Sequence, residues 1–324
     1  MNNSNSKISF IEKIFGDYTV DGNFNLSIKC PNCASENTKK RKLSIKLEND
    51  KFHCWVCDFR GKSLLPLLKK YSTKENINEY INKFYKKSFF KKSQETKDNF
   101  KEQLVLPPGF TLLAEYKRNN NTQFGIYAEK AFEYIKSRNL YTIEDFWRFK
   151  FGITGYKKYI NRIIFPSFDS NGILNYYVCR TWNINENLKY LNSAIKKQEI
   201  IFNEIDINWK IPLTIVEGPF DTTKCSRNTT CLLGNTLSTD SLLFEKIILN
   251  DTPIILMLDN DMHEKSCEIA KLLLNYGIKI SIIFLKNKKD PCEHTRDEIS
   301  DLILENQNWN FNKIDILRKK IANI

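Results

Sequence analysis

Two groups of residues in this chain have types and spacings that could do chemistry. The first is Cys30-Pro31-Asn32-Cys33, followed after twenty residues by Cys54-Trp55-Val56-Cys57. Each pair can form a tight knuckle that presents two thiolates to one ion, and four thiolates in a tetrahedral array select zinc over harder cations. The alternative is two reduced thiol pairs or a disulfide; a small, loop-rich segment would then lack its staple. The second group is acidic. The apolar run 254–258 stops at Asp259-Asn260-Asp261, Glu217 closes the apolar run 212–216, Asp221 follows four residues later, and Asp290 lies beyond a fourth apolar run. Two carboxylates two residues apart, leaving a dry sheet together, repel unless a cation sits between them. Taken alone, Asp259 could turn the chain and Asp261 could cap the next helix.

These residues need elements to position them. Between the cysteine pairs, 42–47 alternates apolar and polar and reads as strand; 51–54 brings the chain back as an antiparallel ribbon. Residues 62–71 read as a short helix leaving the ribbon, and 75–85 has helical spacing. A charged, aliphatic-poor stretch then reads as a mobile linker, and Pro107-Pro108-Gly109 opens a new unit. Helices are expected at 128–138 and 142–148. Strands 163–165 and 173–178 meet at Asp169-Ser170-Asn171-Gly172, a hairpin signal.

Further on, apolar strands at 212–216, 230–233, 253–258 and 279–285 alternate with helices at 221–226, 241–249 and 264–276. That alternation makes right-handed βαβ crossovers and a parallel sheet. Glu217, Asp259, Asp261 and Asp290 then fall at strand ends, where an open parallel sheet places its ligand site. Gly218 allows close backbone approach beside Glu217. The last residues read as helices at 296–305 and 313–321. The tail could dock a partner or close the core, and the core reading is favoured.

Composition bounds the function. The 324 residues suggest about two domains by length, and 41% hydrophobic content suffices for packed cores. No apolar run reaches the ~18 residues of a membrane span, and the first ten residues lack a signal-peptide core, so a cytoplasmic protein without membrane contact is expected. The net charge of +12 favours a polyanion such as nucleic acid. Of the nine cysteines, the five outside the pairs sit singly in apolar surroundings, as small core residues in a reducing cell do. Gly61-Lys62-Ser63 imitates the end of a P-loop, but Val56 stands where its first glycine would be. His53 reads as a neighbour of the four-cysteine site. Phe52, Trp55 and Phe59 beside Lys39, Lys40, Arg41, Lys42 and Arg60 suit single-stranded nucleic acid; simple packing of Trp55 on the ribbon is an equal reading.

Asn161-Arg162-Ile163-Ile164-Phe165-Pro166, then Asn171-Gly172, an arginine-bearing strand and Lys189-Tyr190-Leu191-Asn192-Ser193 resemble the basic subdomain of bacterial replicative primases and of smaller phage primases. Glu217, Leu233-Gly234-Asn235, the Asp259-x-Asp261 pair and Lys289-Asp290-Pro291 are similar to the toprim domain. The resemblance covers roughly 28–295, and the ribbon, basic subdomain and toprim unit stand in primase order. There are two departures. Cys292 stands where bacterial primases usually carry a second Asp, which leaves Glu293 as a substitute or one metal site weaker, and Asn260 replaces a Gly.

The resemblance implies a multi-domain α/β and α+β protein: zinc ribbon at 1–75, helix and linker at 76–106, mixed α+β basic RNA-polymerase subdomain at 107–205, toprim domain with a parallel four-stranded sheet and flanking helices at 206–295, and C-terminal helices at 296–324. It implies a DNA primase that makes short RNA primers on single-stranded DNA from ribonucleoside triphosphates, of a size found in phages, cytoplasmic, and in the host cytoplasm if phage-encoded. Glu217, Asp259 and Asp261 would be catalytic. Glu217, Asp221, Asp259, Asp261 and Asp290 would hold Mg²⁺ or Mn²⁺, and Cys30, Cys33, Cys54 and Cys57 structural Zn²⁺. Arg162, Arg180, Lys189 and Asn192 would hold nucleotide and template, since guanidinium and ammonium groups pair with phosphates. Larger primases end in a helicase-binding domain, for which this chain has no room, so a separate replicative helicase is the expected partner. The rivals are a non-catalytic zinc and toprim recombination mediator, which leaves the 161–166 and 189–193 strings unexplained, and a metal-dependent toprim nuclease.

Overall fold

The computed structural model describes residues 2–21, 25–35, 39–85, 104–115, 125–140, 142–285 and 290–310. Most of the expected linker, the helix expected at 313–321 and Lys289 lie outside them. The chain forms two compact units: Met1–Glu102 with Leu237–Asp251 and Asn275–Ile278, and Gln103–Thr236 with Thr252–Leu274 and Lys279–Ile324.

The first unit is built on a five-stranded antiparallel sheet in sequence order, β1 (Tyr18–Val20), β2 (Asn25–Ile28), β3 (Leu43–Lys46), β4 (Phe52–Cys54) and β5 (Arg60–Gly61). Alternation sets its inner face: Leu26, Ile28, Leu43, Ile45 and Phe52 are buried while their neighbours are more open. Ser44 pairs with Ser27 on one side and His53 on the other, so the ribbon expected from 42–54 is present. Helix α2 (Leu65–Tyr71) starts three residues later than expected because Pro66, lacking an N–H, suits only the first turn. Helix α3 (Lys74–Tyr80), capped by Thr73, passes into a single π-type turn, Ile81–Tyr85.

Helix α1 (Asn2–Phe15) was not anticipated from its polar opening residues. Three side chains anchor it, Lys7 and, one turn on, Phe10 and Ile11. Phe10 and Ile11 are buried, and Phe10 meets the rings of Tyr80 and Phe84 at 6.4 and 5.3 Å. Lys7, also buried, pairs with the fully buried Asp50 and donates to the Leu47 carbonyl at 3.0 Å; Tyr80 donates its hydroxyl proton to Asp50 at 2.9 Å. Removing one partner of such a pair strands the other charge in a dry site. Asp50 has φ +60°, which Asn tolerates, so Asp50→Asn removes charge without changing shape. It is expected to lower stability by about 3 kcal/mol, and Lys7→Met added to it should restore part of that loss, as read by denaturant unfolding.

The second unit holds two sheets. One is antiparallel, ordered β10-β9-β8-β7-β6: β6 (Thr111–Leu112), β7 (Gly152–Ile153), β8 (Arg162–Phe168), β9 (Leu174–Thr181) and β10 (Tyr190–Asn192). The expected hairpin joins β8 to β9: Gly172 has φ +77° and its N–H donates to the Asp169 carbonyl. The other sheet is wholly parallel, ordered β12-β11-β13-β14: β11 (Leu213–Val216), β12 (Thr229–Cys231), β13 (Ile254–Leu256) and β14 (Ile280–Ile282). Its strands are buried along their whole length, as strands covered on both faces must be. Helices α4 (Gly125–Ser137) and α5 (Ile143–Phe149) precede the antiparallel strands β7–β10 in the chain. Thr142 and Asp145 cap α5 reciprocally. The multi-domain α/β and α+β class is as expected. Helix α6 (Pro219–Thr222) is a single turn rather than the longer helix expected at 221–226.

Helix α7 (Leu242–Asn250), which joins β12 to β13 in the chain, belongs to the first unit. There Lys69 of α2 donates to the Ile248 carbonyl at 3.3 Å and pairs with Asp251, and Phe244 meets Tyr276 edge-on at 5.1 Å. Helices α8 (His263–Leu274) and α9 (Arg296–Asn306) complete the described elements.

Candidate functional site

The four cysteines of the ribbon converge. Their Sγ atoms all lie within 4.8 Å of one another, with Cys30–Cys57 at 3.8 Å and Cys33–Cys54 at 3.7 Å. Zn–S bonds of ~2.3 Å in a tetrahedron give S···S edges of about 3.8 Å, so the donor set fits zinc. None of the cysteines is in a disulfide. Both knuckles are shaped by backbone hydrogen bonds: Ala34 N–H to the Cys30 carbonyl at 2.9 Å, and Asp58 N–H to the Cys54 carbonyl at 3.0 Å. Burial raises the Cys30 thiol. The neighbouring Cys57 thiol and burial push Cys33 up to about 11. Cys57 is lowered to about 7: burial opposes its ionisation, but hydrogen bonds from Asn32 and from the Phe59 backbone favour the thiolate. Trp55, between the last two cysteines, is 73% exposed, with the His53 ring 4.4 Å away.

In the second unit, adjacent parallel strands bring the acidic residues to one rim. β11 and β13 pair with Ile215 opposite Leu256, so Glu217 after the first and Asp259 after the second leave the sheet at the same edge. Asp221 lies on α6, where the Gly218 N–H donates to its Oδ2 at 2.9 Å. A Cβ on Gly218 would stand 3.0 Å from that oxygen, which is the close approach the glycine permits. Asp290 begins the turn Pro291–Glu293, and the Glu293 carboxylate accepts from its N–H at 3.1 Å. Glu293 therefore caps this turn.

The carboxylates act on one another. Burial raises Glu217, and Asp221, Asp261 and Asp290 add to the shift. Burial, then Asp221, Asp290, Glu217 and Asp261, push Asp259 up to about 8. Burial also raises Asp221, against the hydrogen bond from Gly218. Glu217 Oε2 and Asp259 Oδ1 are buried without a hydrogen-bond partner. Carboxylate oxygens left bare in a group of mutually repelling acids fit a divalent cation. Among the described residues, the four cysteines are the group of metal-ligand side chains that meets within 4.8 Å, and the acids are spread more widely. That spread suits Mg²⁺ or Mn²⁺, which keep water and share substrate phosphates, better than an ion caged by protein alone.

The basic residues take different positions. Arg162 is buried; its guanidinium donates to Glu186 at 3.3 Å and to the Lys189 carbonyl at 3.5 Å. Arg180, opposite Tyr190 in the sheet, is also buried, with its guanidinium 4.9 Å from the Tyr190 ring, 5.5 Å from Phe220 and 5.9 Å from Tyr134. Phe220 belongs to α6, so Arg180 ties the basic strand to the helix carrying Asp221. Phe151 and Phe165 hold Phe220 from its other neighbours, each at 5.9 Å between ring centres. Lys189 and Asn192 are exposed, and the Lys189 charge favours ionised Asp290. Arg162 and Arg180 are thus enclosed, whereas Lys189 and Asn192 are open to a ligand.

Sequence reasoning passes over Arg138. Its Nη1 donates to Cys292 Sγ at 3.2 Å and its charge acts on Asp290. Nothing in its spacing signals this, since in the sequence it is simply the last residue of the helix expected at 128–138.

No family model matches the chain, and no curated protein matches it in sequence. In structure it is similar to the zinc-binding and RNA polymerase domains of the Aquifex aeolicus primase, at 17% identity over 94% of this chain and 84% of that one, with a TM-score of 0.46. It is also similar to the RNA polymerase domain of the Mycobacterium tuberculosis primase DnaG in complex with double-stranded DNA, at 16% identity over 60% and 78%, TM-score 0.47. A third likeness is to a DNA primase domain from Pseudomonas aeruginosa, at 18% identity over 60% and 78%, TM-score 0.44. These are likenesses of fold at low identity, and the case for activity rests on the residues themselves. Among the described residues no helix is long and apolar enough to cross a membrane.

Proposed function

We propose that this chain is a DNA primase that synthesises short RNA primers on single-stranded DNA by metal-dependent nucleotidyl transfer. The observation that carries this reading is the rim of acids: Glu217 Oε2 and Asp259 Oδ1 are bare, buried and surrounded by further carboxylates. The basic sheet is joined to that rim through Arg180 and Phe220. Glu217, Asp221, Asp259, Asp261 and Asp290 would hold Mg²⁺ or Mn²⁺. When bound, such an ion supplies Lewis-acid polarisation of a triphosphate and of the attacking 3′-hydroxyl.

The chain's own residues orient and neutralise. Lys189, exposed and acting on Asp290, would meet phosphate, and exposed Asn192 would meet a base edge. Arg162 braces the loop that presents Lys189, and Arg180 fixes the acid-bearing turn against the sheet. In the other unit, zinc on Cys30, Cys33, Cys54 and Cys57 would hold the ribbon's shape, and exposed Trp55 offers a stacking face to an unpaired template base. A separate replicative helicase is the partner that the primase resemblance implies.

Purified protein incubated with single-stranded DNA, labelled ribonucleotides and Mg²⁺ is expected to yield template-dependent RNA oligomers. Fragmented template without RNA products would make the chain a nuclease. Binding with neither product would make it a recombination mediator.

A further inference from the structure

Each cysteine knuckle supplies two thiols, and one side chain joins the two knuckles. Asn32 stands between Cys30 and Cys33 in the first, and its amide nitrogen donates to Cys57 Sγ of the second at 3.4 Å. The amide oxygen meets α2. It accepts from the Lys70 ammonium at 2.8 Å and from the Tyr71 hydroxyl at 2.5 Å. These partners fix which way the amide lies: turned over, its nitrogen would face an ammonium and its oxygen a thiolate. The two donors on α2 are themselves held. Lys70 Nζ lies 5.4 Å from the centre of the Phe59 ring and 5.2 Å from that of Tyr71, and the Tyr71 ring meets buried Phe59 edge-on at 6.0 Å. Phe59 in turn packs edge-on against Phe52 of β4 at 5.0 Å.

We propose that Asn32 is a positioning residue for zinc: through its amide, Lys70 and Tyr71 of α2 act on the Cys57 thiolate, so that α2 tightens metal binding without supplying a ligand. The inference rests on reading the four cysteines as a zinc site. Four thiolates more than balance the charge of one Zn²⁺, which leaves the centre negative. A hydrogen bond to a coordinating sulfur offsets that excess and fixes the ligand's direction. An amide whose oxygen is held by a cation and a hydroxyl is polarised, and so donates more strongly through its nitrogen. The ammonium thus reaches the sulfur through one planar group.

The test is made on the full chain, with Zn²⁺ affinity read by chelator competition and the sulfur environment by the thiolate charge-transfer absorption of the Co²⁺-loaded protein. Asn32→Ala should weaken zinc by about tenfold or more and move the cobalt band to longer wavelength, as Cys57 loses its donor. Lys70→Met keeps an apolar stem on Phe59 and should weaken zinc by about threefold or more. Added to Asn32→Ala, it should change affinity by less than about twofold, because the ammonium acts through the amide. Asn32→Asp keeps an acceptor for α2 but offers Cys57 no donor, so it should not restore the affinity; it would rescue a residue that only fastened α2. Unchanged affinity and cobalt spectrum in Asn32→Ala, rescue by Asn32→Asp, or additive losses in the double variant would each overturn the proposal. Should the Asn32 variants not fold, Lys70→Met and Tyr71→Phe decide: both should shift the cobalt band, and a band unmoved in both overturns the proposal. An unmodified chain that binds neither metal would overturn the four-cysteine reading and this inference with it. None of these readouts depends on primer synthesis.

Discussion

Asp259→Asn is expected to lower primer synthesis by at least about 1,000-fold while the chain stays folded, because it removes the most strongly strained carboxylate of the rim from any ion placed there. The substitution keeps the side chain's shape and removes a charge that its neighbours disfavour. Stability should therefore move opposite to activity. Asp259 is pushed up to about 8 in the folded chain by burial, then by Asp221, Asp290, Glu217 and Asp261. In the unfolded chain it ionises near the ordinary value of 3.8. Between those values the folded state binds the extra proton, so metal-free stability falls as pH rises from about 4 to about 8. At pH 8 the metal-free Asp259→Asn variant should be more stable than the unmodified chain, by on the order of 2 kcal/mol after allowance for partial exposure. The gain should vanish at pH 4. Thermal unfolding of both proteins across pH, with chelator present, measures this; wild-type-level synthesis by the variant would remove Asp259 from the chemistry.

Cys54→Ser, or removal of zinc by a strong chelator, is expected to unfold the ribbon and abolish template-directed initiation. Metal binding at such sites is folding free energy, on the order of 10 kcal/mol in small zinc domains. The ribbon's strands are three or four residues long or shorter, and two of its knuckle cysteines are themselves core residues at 0–1% exposure. Zinc binding must expel thiol protons, so affinity should rise with pH. The rise should be steepest below about 7, where Cys57 still carries a proton to expel, lessen above it, and continue through Cys33 at about 11. Zinc content by a chromogenic chelator and ribbon structure by near-ultraviolet circular dichroism provide the readouts. A Cys54→Ser chain that kept stoichiometric zinc and initiated normally would show that the four-cysteine site is not what holds the ribbon.

Much of the fold was legible because it depends on short-range pattern. Alternation at 42–54 specified the ribbon, Asp169 to Gly172 specified a hairpin, and apolar runs separated by helical periods specified a parallel sheet. The element ends were less legible. Pro66 delayed α2, Thr73 and Thr142 set caps, and α6 closed after one turn. Helix α1 was missed because its polar opening residues conceal one buried lysine, and Lys7 is tolerable inside only because Asp50, forty-three residues away, meets it.

The sequence by itself determined which groups stand at strand ends and which thiols are paired, because those follow from spacing along one element. It could not determine what each charged group faces. Arg162 and Arg180 carry the primase-like pattern, yet one is engaged by Glu186 and the other is enclosed by three aromatic rings, while the exposed positions fall to Lys189 and Asn192. Arg138, unmarked in the chain, reaches Cys292 across 154 positions. Only tertiary structure decided these partnerships, because a charge in a low-dielectric interior is governed by whatever the fold places within a few ångströms of it, however distant in sequence.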